Sequence, residues 1–64
     1  MRQGLLLKFK RTEKGYNQEN FGAAIGVSRQ SISLYERGKL LPRPEKMKKI
    51  SKILGASIEE LFFR

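Results

Sequence analysis

The chain has 64 residues, with 14 Lys and Arg against six Asp and Glu for a formal net charge of +8, and it contains neither cysteine nor histidine. That length is near the lower limit for folding on a hydrophobic core alone. The missing residue types exclude disulfide staples and ordinary Cys/His metal sites, and they leave acid–base or nucleophilic catalysis without its usual groups, so neither an enzyme nor a cofactor is expected. An apolar run as short as Leu5, Leu6 and Leu7 is far below a membrane span, and the start Met1-Arg2-Gln3, followed so soon by Lys8, Lys10 and Arg11, does not read as a signal peptide.

No repeat, linker or low-complexity tract divides the chain, so residues 1–64 read as one domain, and the punctuation predicts five helices. The first covers roughly residues 4–14 and stops at Gly15, a residue suited to the position just past a helix end. Asn17 caps a second helix over residues 18–25, which Gly26 stops, and Ser28 caps a third over residues 29–37. Two short helices joined by a glycine-containing turn form the helix-turn-helix unit, here about residues 17–37, which can place its second helix in a DNA major groove.

Between Gly38 and Pro44 runs a loop with two prolines, Pro42 and Pro44, that oppose helix continuation. A fourth helix starts near Pro44, a residue favoured at the first helical position, and ends at Gly55. Its Met47, Ile50, Ile53 and Leu54 recur at three- and four-residue spacing and form one buried stripe, with Lys46, Lys48, Lys49 and Lys52 on the other sides. Ser57 and Glu60 form a capping box for a last short helix over residues 58–62. No segment alternates with period two, so an all-α fold follows. Its expected core is Leu7, Phe21, Ala24, Ile25, Val27, Ile32, Tyr35, Ile50, Ile53, Leu54, Ile58, Leu61 and Phe62, with Val27 inside the turn to lock two helices too short to be stable alone.

Three stretches carry a resemblance: Gly15 to Glu19, GYNQE; Ile25 to Ser33, IGVSRQSIS; and Tyr35 to Lys39, YERGK. They resemble the lambda-repressor-like, Cro/CI-type (XRE) helix-turn-helix family, and residues 53–62, ILGASIEELF, are similar to that family's last two helices. The resemblance implies a compact five-helix lambda-repressor-like domain with its helix-turn-helix at the second and third helices. It also implies a cytoplasmic regulator, encoded by a prokaryote, phage or mobile element, that binds double-stranded DNA by sequence, most often as a homodimeric repressor.

By the same resemblance, Gln18 matches the glutamine that holds a DNA phosphate and braces the recognition helix. Asn17 and Ser28, at the two helix starts, join it as phosphate contacts, because a helix N-terminus offers free N–H groups and a favourable dipole. Arg29, Gln30 and Ser31 match the positions facing base edges, where arginine suits guanine and glutamine suits adenine. Ser33 and Leu34 continue that surface. Arg11 and Glu36 match a partly buried salt bridge between the first and third helices. Arg37, Lys39 and Arg43 are either further phosphate contacts or solvated loop charges.

Several residues depart from the family pattern. Gly22 stands where alanine is usual, at an expected cost of about 1 kcal/mol of helix stability. Lys10 stands where leucine is usual, so the first helix either rotates to bury Phe9 or packs the lysine stem. Leu5, Leu6 and Phe9 exceed the needs of one narrow apolar stripe. Leu40, Leu41, Ile58, Phe62 and Phe63 either complete the small core or form a homodimer contact, which would set two recognition helices about 34 Å apart. No small-molecule effector site is evident, and residues 1–64 leave little room for one. The competing reading is an antitoxin-type or protein-interaction module with autoregulatory DNA binding. Charge-driven RNA binding is a third, without the exposed aromatic platform it needs.

Overall fold

A computed structural model describes residues 3–63; Met1 and Arg2, part of the N-terminal stretch weighed against a signal peptide, lie outside them. The described chain forms α1 (Gln3–Glu13), α2 (Gln18–Ile25), α3 (Arg29–Glu36), α4 (Pro44–Leu54) and α5 (Ile58–Phe62), and no strand occurs among the described residues. The packed pairs are α2 with α3, α1 with α3 and with α5, and α4 with α5 and with α2.

Local chemistry sets most helix boundaries. The Asn17 side chain accepts from the Asn20 backbone at 2.7 Å, and the Asn20 side chain accepts from the Asn17 backbone at 2.8 Å, a reciprocal box that fixes the start of α2. Gly26 then takes the left-handed conformation (φ 81°) and returns its N–H to the Gly22 carbonyl at 2.8 Å. A Cβ built on Gly26 would lie 3.0 Å from Lys46 Nζ, so a cation from α4 sits at the negative end of α2. Ser28 accepts from the Ser31 backbone at 3.1 Å to start α3. Ser57 and Glu60 exchange the corresponding bonds at 3.0 and 3.1 Å to start α5.

The core gathers Leu7, Phe21, Ile25, Ile32, Tyr35, Met47, Ile50, Leu54, Ala56, Leu61 and Phe62. Val27, Ile53 and Ile58 are only half-buried against it, as are Leu6 and Tyr16. Tyr16 tilts on Phe21 with ring centroids 5.3 Å apart. Burial pushes the Tyr35 phenol above its ordinary value, and a hydrogen bond with Ser31 opposes that shift.

One expectation needs correction, and one choice is decided. Ala24 is exposed rather than buried, because α2 turns Phe21, Gly22 and Ile25 inward and leaves Ala23 and Ala24 facing out. Phe9 is 57% exposed, so α1 does not rotate to bury it. Instead Lys10 lies half-buried along its stem and reaches Glu13 at 3.9 Å.

Two glycines sit where backbone crowds backbone. A Cβ on Gly22 would stand 2.7 Å from the Val27 carbonyl oxygen and 3.3 Å from the Ser28 carbonyl. A Cβ on Gly4 would overlap the Glu36 carbonyl outright, so the start of α1 presses directly on the end of α3.

Candidate nucleic-acid interface

Three helices meet at one buried ion pair. Arg11 of α1 donates from Nε to Glu36 Oε2 at 2.5 Å and from Nη2 to Oε1 at 3.2 Å. The two side chains are only 6% and 4% exposed. Arg11 Nη1 also donates to the Tyr16 carbonyl at 2.7 Å, and Gln18 Nε2 donates to Glu36 Oε1 at 3.1 Å. The carboxylate at the end of α3 is therefore held by α1 and by the first residue of α2. No buried side-chain polar atom among the described residues lacks a partner, which is the condition under which a buried pair is tolerated.

Gln18 stands between two surface depressions. Arg11, Asn17, Gln18, Glu19 and Arg29 line the first, where the starts of α2 and α3 come together. Leu5, Lys8, Gln18, Ser33, Glu36 and Arg37 line the second, toward the end of α3. Along α3, Arg29, Gln30 and Arg37 are exposed, while Ser31, Ser33 and Leu34 are half-buried. Ser31 is less free than its position suggests, since its hydroxyl bonds the Ser28 hydroxyl at 3.1 Å. Arg37 donates from Nε to the Ser33 carbonyl at 3.4 Å.

The remaining residues lie apart from this group. Lys39 borders an apolar crease with Tyr35, Gly38, Leu40, Leu41 and Phe62, and Arg43 is the exposed N-cap residue of α4 without a side-chain cap bond. Leu40, Leu41 and Phe63 are exposed, Ile58 is half-buried, and Phe62 is 3% exposed and belongs to the core of one copy. Any contact between copies on this side thus draws on the other four. Sequence reading missed Lys8 as a neighbour of Gln18 and Arg37, because one lysine in a basic helix carries no local signal.

A family model described as helix-turn-helix matches residues 7–61. The chain is 41% identical over 58 residues to an uncharacterised HTH-type transcriptional regulator, YonR, from the SPbeta prophage of Bacillus subtilis, covering 91% of this chain and 54% of that protein. It is 39% identical over 56 residues to an uncharacterised HTH-type transcriptional regulator of Methanocaldococcus jannaschii, covering 88% of this chain and 85% of the relative. Against the transcriptional repressor RstR of the cryptic phage CTXphi in Vibrio cholerae, it is 37% identical over 51 residues, or 80% of this chain and 46% of RstR. The chain thus spans about half the length of the two phage relatives and most of the archaeal one. No solved structure matches it. With helices that carry the motif and a family match over nearly its whole length, the chain belongs to the helix-turn-helix family of Cro/CI (XRE) type.

Proposed function

We propose that this protein binds double-stranded DNA by sequence and regulates transcription, as a homodimeric repressor on a palindromic operator. The observation that carries the reading is the exposed edge of α3, with Arg29 and Gln30 at its first two positions, beside a depression shared with the start of α2. In this reading Arg29 and Gln30 meet base edges, with Ser31, Ser33 and Leu34 as secondary contacts. Asn17, Gln18, Ser28 and Arg37 hold phosphates, and Lys39 and Arg43 extend that contact past the end of α3. The net charge of +8 supplies the long-range attraction. The relatives include a transcriptional repressor and a transcriptional activator alike, so they support regulation of either sign.

Selection of bound sequences from random duplexes, followed by binding at several salt concentrations, tests the reading. A palindromic motif with half-sites one helical turn apart is expected. Affinity set by salt alone, whatever the sequence, would overturn it. Replacing Arg29 or Gln30 by alanine is expected to relax base preference by about 1 kcal/mol or more, whereas Gln18→Ala weakens all sites alike.

The dimer rests on exposed Leu40, Leu41 and Phe63 with half-buried Ile58. Sedimentation at rising concentration, with and without operator, is expected to show association. A strict monomer at high micromolar concentration in both conditions removes the dimer. The same apolar residues favour the protein-interaction reading if a different protein co-purifies in fixed ratio and sequence preference is absent.

A further inference from the structure

α1 has no assigned part in reading DNA, yet it contributes to the second depression. Leu5 and Lys8 lie one turn apart on α1 and share that depression with Gln18, Ser33, Glu36 and Arg37. Three of these neighbours, Gln18, Ser33 and Arg37, already belong to the proposed interface. Lys8 and Arg37 are both exposed, and neither forms a salt bridge among the described residues, where the pairs are Lys10 with Glu13 and Arg11 with Glu36. Glu36 does not neutralise them, because both its oxygens are turned inward to Arg11 and Gln18. The depression therefore presents two unpaired cations, an amide and a hydroxyl at the rim of the recognition helix.

We infer that Lys8 is a DNA-backbone contact, and that with Arg37 and Gln18 it clamps one phosphate at the C-terminal end of α3. The inference rests on the proposed DNA-binding role and adds to it a second anchor, supplied by a different helix. A phosphodiester oxygen suits a paired lysine and arginine, with the ammonium as a point charge and the guanidinium as a directed donor. Leu5 beside them offers apolar surface to the adjoining sugar. Phosphate contacts at both ends of α3, from Asn17 and Ser28 at one and Lys8 and Arg37 at the other, with Gln18 between the two depressions, would fix its angle in the groove. Such contacts position the protein without specifying sequence.

Lys8→Gln and Lys10→Gln remove the same charge from the same helix, but two residues along a helix is more than half a turn around it. Lys10 also reaches toward Glu13 rather than toward the depression. Both proteins are first checked for an unchanged melting temperature, then titrated with a duplex carrying the selected motif across a salt series. Lys8→Gln is expected to lower the magnitude of the salt slope by about 0.9 per bound protomer and to leave the ranking of sequences as it was, while Lys10→Gln keeps most of the wild-type slope. Retained sequence preference with an unchanged slope in Lys8→Gln overturns the inference alone, as does an equal loss in Lys10→Gln. Loss of slope in Lys8→Gln by a protein with no sequence preference overturns the regulator reading and upholds the clamp. A wild-type protein that binds no duplex overturns both.

Discussion

Replacing Arg11 by methionine is expected to remove about 3–5 kcal/mol of stability, the cost of stranding one half of a buried ion pair. For domains holding roughly 0.05–0.15 kcal/mol per residue, that is a large part of the total. The Glu36 carboxylate, 4% exposed, would keep only the Gln18 amide at 3.1 Å as a donor, and the Tyr16 carbonyl would lose its 2.7 Å bond from Arg11. The double variant Arg11→Met/Glu36→Leu removes both charges at once and is expected to recover most of the loss, since apolar residues of similar volume often replace a buried pair at little cost. Equilibrium urea denaturation of the three proteins measures this. If the single variant matches the wild type, the pair is not what holds α1 to α3. If the double variant is no better than the single, the bonds to Gln18 and Tyr16 carry the stability instead.

The second large effect runs against helix propensity. Alanine at Gly22 ought to stabilise an α-helix by about 1 kcal/mol, and the chain's glycine there reads from sequence as a flaw. The added Cβ would stand 2.7 Å from the Val27 carbonyl oxygen, and the obstacle is backbone, which has no rotamer to swing aside. Overpacking of this kind costs about 1–3 kcal/mol. Gly22→Ala is therefore expected to lower stability by up to about 2 kcal/mol net and to push the Val27–Ser28 turn away from α2. In the proposed reading, DNA affinity then falls by more than the stability change alone would produce, because the turn sets the angle of α3. Thermal melts and operator titrations of one preparation test both parts. A melting temperature above wild type would show that propensity wins.

Much of this fold was legible because its boundaries are local. Asn17, Gly26, Ser28, Gly55 and Ser57 each act within four residues of themselves, and the residues that bound α2 and α5 are those their caps imply. The reciprocal partner of Asn17 was not foreseen, since Asn20 fills a position more often held by Glu or Gln. Side-chain fates decided by tertiary contact were harder to read. Ala24 suits a core or a surface equally, and only the packing of α2 against its neighbours shows which. Phe9 is exposed because Leu7 and Arg11 already define the inward face of α1. Gly22 and Gly4 owe their identity to backbone that arrives from a different helix. The same holds for the site. The exposed start of α3 follows from its cap, but the Gln18 bond to Glu36 and the approach of Lys8 to Arg37 join residues 18 and 29 positions apart.

The knot of Arg11, Tyr16, Gln18 and Glu36 has a consequence for any duplex this protein grips. It ties α1, α2 and α3 through four hydrogen bonds, so in the proposed reading the exposed edge of α3 would meet a poorly fitting groove at a fixed angle. Accommodation would fall to the DNA, whose bending and twisting costs vary with base sequence. Base pairs between two half-sites, touched by no side chain, would then influence affinity through their flexibility.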